Sequence, residues 1–196
     1  MAAPLASMLL ASFPPTESGA PSVDEAALQR QLQSMFDAGR SAWPNCTIED
    51  VAFVRHVGSL ISGRDALPEA LAAMRAEDVY LACACTVGAA EALRTFEQQF
   101  IRPTRVVIAR ESDVIDPDEF FQRLRERLLV AREGKPSRLA TFSGKGKLSN
   151  WVRIAAQRLL IDEYRKREAA ISEVSDESVD PVRAAGVSAP QVVEAC

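Results

Sequence analysis

The chain has 196 residues, of which 47% are hydrophobic and 26% charged, and its formal net charge is −4. This composition is typical of a globular protein that buries a core, and it excludes a wholly disordered chain. It allows one domain of ordinary size with tails, or two very small ones. No apolar stretch approaches bilayer-spanning length, and the short apolar piece Met8–Ala11 lacks the basic flank of a signal peptide. The sequence therefore predicts a soluble, cytoplasmic protein without a membrane segment.

The N-terminal part is predicted to be a flexible leader followed by helices. Residues 1–22 contain the steps Pro14-Pro15, Ser18-Gly19 and Pro21-Ser22, which predict the leader. Ser22 with Glu25 three residues later resembles a helix start, and the apolar spacing after it predicts a helix over residues 24–42. The step Trp43-Pro44 ends that helix, and a second one is predicted over 47–61 with Thr47 as its cap.

The middle and C-terminal parts are also predicted to be helical. Helices are expected over residues 67–87, over 89–110 with an interruption near Pro103, and over 118–131 with Asp116 as cap and Pro117 in the first turn. A basic loop follows over 132–146, and a last helix over 148–170. Residues 171–196 lack a clear period and are predicted to be a disordered tail. No strand is predicted, so the fold class is all-α, a compact bundle of helices with flexible tails.

The four cysteines and the one histidine, His56, do not suggest a metal site. Cys83 and Cys85 are two residues apart and would point to different faces of a helix, while Cys46 and Cys196 lie far away. No C-x-x-C pair is present, so no structural zinc, no metal site and no other cofactor is predicted. Reduced thiols, no catalytic residues and no enzymatic activity are expected.

Positive charge is concentrated near the C-terminal helix. Residues 135–167 hold nine basic and two acidic side chains, a net charge of +7 in a chain that is acidic overall. Such a block is what a DNA-contacting face requires. On charge alone, a solvated helix face remains an alternative interpretation.

The segment from Phe142 to Trp151 combines features of a single-strand DNA site. Glycines allow unusual backbone angles near a ligand, two lysines flank them, and a helix N-terminus that favours anions follows. A phosphate-binding loop of nucleotide hydrolases is disfavoured, because Gly146-Lys147 is followed by Leu148 and no strand precedes it. A purely structural loop with Trp151 in the core stays open. The candidate DNA-binding residues are Lys145, Lys147, Asn150, Trp151, Arg153, Gln157 and Arg158.

The sequence motif of residues 142–167 resembles that of a known protein family. Residues 142–167 read FSGKGKLSNWVRIAAQRLLIDEYRKR, similar to F-x-G-x-G-x-L-x-x-W-L-x-x-I-A-x-N-x-x-x-D-x-x-R-R in region 2 of extracytoplasmic-function sigma factors. The resemblance implies a segment that melts the −10 promoter element and captures a flipped base of the non-template strand. Gln157 or Arg158 stands near the family's asparagine, which leaves the base preference open.

Two weaker resemblances extend upstream. The helix that starts at Asp118 resembles the family's helix that docks on the β′ clamp helices of core RNA polymerase. By this resemblance the polymerase-binding residues are Asp118, Glu119, Gln122, Arg123 and Glu126. The stretch from Tyr80 to Phe96, with the Trp43-Pro44 step, is similar to an atypical subgroup that carries an N-terminal extension. The domains implied are a leader at 1–22, a helical extension at 23–75, a region 2-like domain at 76–170 and a tail at 171–196.

The resemblance implies a transcription initiation protein whose partners are core RNA polymerase and promoter DNA, with an anti-sigma regulator as a further candidate partner. Sigma factors of this kind also carry a region 4 with a helix-turn-helix, and no such pattern follows Glu168. The chain is interpreted as a one-domain sigma, a truncated product or a fragment. The alternative is a degenerate sigma fold that binds polymerase or a regulator without reading DNA.

Overall fold

A computed structural model describes residues 4–13, 24–63, 67–108 and 116–177, and these residues form an all-α protein, as the sequence predicts. Within these ranges there is no β-strand, only an isolated bridge between Arg132 and Lys135. None of the helices described there is long and apolar enough to cross a membrane. The helices are α1 Leu5–Ala11, α2 Glu25–Ala42, α3 Asp50–Ser59, α4 Leu67–Ala72, α5 Ala76–Thr86, α6 Ala90–Phe96, α7 Arg102–Ile108, α8 Pro117–Leu129 and α9 Leu148–Glu177.

The chain divides into two compact units, Met1–Leu159 and Leu160–Cys196. The first contains helices α1 to α8 and the first turns of α9. The second is described only from residue 160 to 177, where α9 continues and Lys166 Nζ lies 3.4 Å from Glu163 Oε1. The predicted boundary between residues 75 and 76 falls inside the first unit, where helices on either side of it, α2 and α5, pack together.

That core is built around the crossing of α2 and α5. Gly39 on α2 lies so close to Tyr80 on α5 that a β-carbon there would be 2.3 Å from the Tyr80 side chain. The Tyr80 ring also contacts Phe36 and Phe53, with centroids 5.6 and 5.9 Å away, and its hydroxyl donates a hydrogen bond to the carbonyl oxygen of Cys46 at 2.8 Å. The hydroxyl is thereby satisfied in the interior, as a buried tyrosine requires.

Helix α1 corrects the prediction of a flexible leader over residues 1–22. Leu5, Ala6 and Leu9 are buried, and the helix packs on α2 and α3. The Ala6 amide donates a hydrogen bond to Gln29 Oε1 at 2.9 Å. A helix of seven residues is too short for its apolar spacing to be recognised in the sequence. So short a helix is stabilised by tertiary packing rather than by helix propensity. Residues 14–22 of the predicted leader lie outside the described residues.

Several helix boundaries differ from prediction. The N-cap of α2 is Asp24, whose Oδ1 accepts hydrogen bonds from the amides of Ala26 and Ala27. Helix α3 starts after Glu49 rather than at Thr47. The single helix expected over 67–87 is two helices, α4 and α5, because the chain turns at residues 73–75. Helix α9 continues to Glu177, seven residues past the predicted end, and residues 178–196 of the predicted tail lie outside the described part.

The interruption predicted near Pro103 is present as a π-helical turn, Glu97–Ile101, between α6 and α7. Pro103 has no amide hydrogen and so cannot donate the hydrogen bond of a regular helix, and the π-turn lies directly before the first turn of α7. Arg125 on α8 makes two hydrogen bonds to Glu97 in this turn, at 2.8 and 2.9 Å, and they hold the pKa of Glu97 below its usual value. This pair ties α8 to the π-turn.

The start of α8 agrees with prediction. Asp116 is the N-cap, with its Oδ1 accepting from the amides of Asp118 and Glu119, and Pro117 is the first helical residue. Four apolar side chains on one face are buried: Phe120, Phe121, Leu124 and Leu128.

Helices α3 and α5 bury the titratable side chains of His56, Cys83 and Cys85. Burial raises the pKa of the Cys83 and Cys85 thiols to about 12, so the reactive thiolate form is suppressed. His56 is also buried, its Nε2 has no hydrogen-bond partner among the described residues, and burial lowers its pKa to about 4. His56 is therefore neutral in the folded protein at neutral pH.

The buried His56 predicts a loss of stability on mild acidification. Its pKa is near 6.5 in the unfolded chain and about 4 in the fold, so the unfolded state takes up the proton first as the pH falls. The free energy of unfolding should drop by about 2 kcal/mol between pH 7 and pH 5 from this group. Urea denaturation across that range measures it. In His56→Leu the drop should disappear, and an equal drop in both proteins would contradict the assignment.

Candidate nucleic-acid interface

The glycine-containing loop over residues 142–147 is fastened to the start of α5. The Arg75 amide donates a hydrogen bond to the carbonyl oxygen of Gly144 at 2.9 Å. Asp78 Oδ2 accepts from the Leu148 amide at 3.1 Å and from Arg75 Nε at 2.9 Å. Asp78 thus caps α9 from a segment 70 residues away and fixes where the loop ends and the helix begins.

Gly144 and Gly146 play different parts in this loop. Gly144 has φ +73°, and a β-carbon there would lie 2.5 Å from Val79 Cγ2 and 3.3 Å from Met74 Cβ. Both the backbone angle and the close approach to α5 therefore require glycine. A β-carbon at Gly146 would meet nothing within 4 Å. The loop is consequently pinned at Gly144 and open around Gly146.

The aromatic rings of Phe142 and Trp151 pack against each other next to the loop. Phe142 is buried, and its ring packs edge-on against Trp151, with centroids 5.6 Å apart. Trp151 is half-buried. Its ring thus has a packing role, in line with the structural interpretation of Trp151, and part of it is still accessible.

The candidate DNA-binding residues lie on the loop and on the first turns of α9. Lys145, Lys147 and Asn150 are exposed, as are Arg153 and Arg158, and Gln157 is half-buried. The opposite side of the helix is buried, including Val152, Ala155 and Leu159, the face that helical spacing predicts for the core. The cationic side chains of the loop and of α9 therefore face solvent, while the opposite face of the helix is packed in the core.

Asp78 alters the expectation that the N-terminus of α9 is free for an anion. The Leu148 amide, which would face such a ligand, already donates to the Asp78 carboxylate. Phosphate binding at this loop would therefore not use the Leu148 amide. No local pattern around Asp78 identifies this role, because a cap from a distant segment is visible only in the folded chain.

The candidate polymerase-binding residues form a separate surface on α8. Asp118, Glu119, Gln122, Arg123 and Glu126 are all exposed. They are joined by Glu119–Arg123 at 2.6 Å and Gln122–Glu126 at 3.1 Å, while Asp118 pairs with Arg105 of α7 at 2.6 Å. These are surface pairs, which add little to stability but order the side chains.

Neither a search for metal-ligand clusters nor comparison with known proteins assigns a further function to the described residues. Among the described residues, no three His, Cys, Asp or Glu side chains are grouped as metal ligands would be. Comparison with protein-family models, curated proteins and solved structures finds no match to this chain.

The two glycines provide a matched pair of substitutions. Gly144→Ala should destabilise the protein by about 1–3 kcal/mol, because alanine is strained at this φ and its methyl group meets Val79. Gly146→Ala should change the free energy of unfolding by less than about 0.5 kcal/mol, since the added methyl group meets nothing. Urea denaturation compares them, and equal effects would show that the loop is not pinned at Gly144.

Proposed function

We propose that this chain is a sigma-like transcription initiation protein that binds core RNA polymerase and the −10 promoter element in the cytoplasm. The observation that carries the proposal is the ordered resemblance of residues 142–167 to sigma region 2. Gly144 is required by its backbone angle, and Phe142 with Trp151 forms the support.

The DNA half of the proposal rests on the arrangement of charge. Lys145 and Lys147 are exposed on either side of Gly146, where the backbone is uncrowded. Arg153 and Arg158 continue the cationic surface along α9. A single strand held by its phosphates on such a surface could turn an unstacked base toward the accessible part of Trp151.

In this proposal the chain performs no bond-making step of its own. It supplies binding energy that favours the melted promoter strand, and the polymerase performs the chemistry. An anti-sigma regulator would act by covering either surface.

The polymerase half rests on α8. Its first turn carries Asp118 and Glu119 on an exposed face whose opposite side is buried. The exposed acids and Gln122 match the order of residues in the clamp-docking helix of the resembled family. Charge complementarity with a basic partner surface would set the rate and specificity of association.

Charge reversal on the loop tests the DNA half. The double variant Lys145→Glu/Lys147→Glu should bind a −10 non-template single strand at least tenfold more weakly than the wild type. The slope of log K against log salt concentration should become shallower by about 1.4, the value for two lost phosphate contacts on a single strand. Fluorescence anisotropy over a salt series measures both quantities.

A matched control is Arg30→Glu/Arg55→Glu, which makes the same change in net charge with two exposed arginines of α2 and α3. It should retain most of the affinity. If both double variants lose affinity equally, binding reflects net charge only. Unchanged binding by the loop variant would leave the alternative of a degenerate sigma fold that does not read DNA.

Charge reversal on α8 tests the polymerase half. In Asp118→Lys/Glu119→Lys, capture of core RNA polymerase should fall at least tenfold, because an attractive face becomes repulsive. Circular dichroism should confirm that the helix persists, since lysines in a first turn cost about 0.3–1 kcal/mol each. The control Glu49→Lys/Glu69→Lys changes two exposed acids elsewhere and should bind normally. Retained capture by the α8 variant would move the docking face to another surface.

A further inference from the structure

A cleft lies beside the C-terminal end of α8, formed by that end and the chain that follows it. Four of its lining residues are cationic, Arg127, Arg132, Lys135 and Arg138, and the others are Val130, Pro136 and Thr141. Its volume is about 390 Å³, within the roughly 300–1,000 Å³ typical of sites for small organic ligands. None of these residues belongs to the loop and helix surface assigned above to promoter DNA.

The backbone holds the cations in place. Arg132 and Lys135 exchange backbone hydrogen bonds at 2.8 and 3.2 Å, and Gly134, with φ +66°, closes the tight turn between them. Arg138 leads into the 3₁₀ turn Leu139–Thr141, where its carbonyl oxygen accepts a hydrogen bond from Thr141 Oγ1 at 2.8 Å. Two short turns thus present three of the four cations to one cleft.

The four cations that line the cleft are more than are needed to offset the negative end of the α8 dipole. The C-terminus of a helix carries about half a negative charge, which one basic residue in the last turn, such as Arg127, offsets. Glu133 is the one acidic residue in the sequence from Val130 to Lys147. The stretch that follows α8 therefore carries an excess of positive charge, and such an excess attracts an anion.

The apolar part of the lining indicates more than a simple ion. The Val130 side chain is 55% exposed at the cleft, and Pro136 adds a second apolar surface. An inorganic anion would leave both in water, whereas a ligand with an apolar face beside its negative group would cover them. A nucleotide has this combination, with a phosphate for the cations and a flat base or sugar for the apolar side chains.

We propose that this cleft binds a nucleotide through its phosphate, either as a free nucleotide or as one unit of a single strand. Arg132 and Lys135 hold the phosphate, and Val130 with Pro136 supports the sugar or the base. The proposal stands apart from the promoter-binding function, because it uses different residues and requires no sequence recognition.

Titration calorimetry on the full chain tests the proposal with three probes: thymidine 5′-diphosphate, a 5′-phosphorylated thymidine trinucleotide and inorganic phosphate. The variant Arg132→Ala/Lys135→Ala should bind at least one of the two nucleotide probes five- to tenfold more weakly than the wild type. Loss for both probes indicates that a free nucleotide suffices, and loss for the trinucleotide alone indicates a strand. Either result supports the site.

Two further variants make the result specific. Val130→Ser should weaken the nucleotide probe that the wild type binds but not inorganic phosphate, because it removes apolar surface only. Arg30→Ala/Arg55→Ala, which removes two exposed cations of α2 and α3, should leave the binding of every probe unchanged, so a general loss of positive charge is separable from loss of the cleft site. Equal binding of every probe by the wild type and by Arg132→Ala/Lys135→Ala would overturn the proposal. A wild type that binds inorganic phosphate as tightly as either nucleotide would also overturn it.

Discussion

Helix α5 is buried along its whole middle, and the first unit of the protein depends on that burial. Every residue from Val79 to Cys85 is buried, so this helix has no solvent-facing side over two turns. Such an all-round apolar helix is stable only when other elements enclose it. Helices α2, α3 and α6 and the 3₁₀ turn before Phe142 pack on it. The position of the candidate DNA-binding loop is therefore set by the most protected helix of the fold.

Helix α5 contacts its neighbours by different kinds of interaction at its middle and at its start. At its middle, α5 meets α2 through apolar contact and the hydrogen bond of Tyr80. At its start, α5 meets the loop through polar groups, with Asp78 and the Arg75 amide each taking one partner from residues 144–148. Asp78 also places a negative charge beside a loop of two lysines and occupies the Leu148 amide at the start of α9. A rigid core and a polar fastening are what a precise binding surface on a loop requires.

The sequence predicts the fold class and the longer helices because their signals are local. Apolar spacing identifies α2, and the Asp116-Pro117 pair marks the start of α8 correctly. Helix α1 and the division between α4 and α5 are missed, because tertiary contact rather than propensity decides them. The candidate site is predicted in the same uneven way. The exposed lysines follow from the pattern, whereas the cap by Asp78 and the cationic cleft after α8 depend on residues distant in sequence or on turns that bring side chains together.

The contact between Gly39 and Tyr80 has an evolutionary consequence. A β-carbon at position 39 would lie 2.3 Å from the Tyr80 side chain, so Gly39 cannot be replaced by a larger residue unless Tyr80 changes as well. Divergent relatives that keep this crossing should substitute the two positions as a pair, exchanging a small residue and a ring for two of intermediate size. A pair of positions 41 residues apart that holds either a glycine and an aromatic residue or two residues of intermediate size is therefore a search pattern for kinship that overall sequence similarity would not reveal.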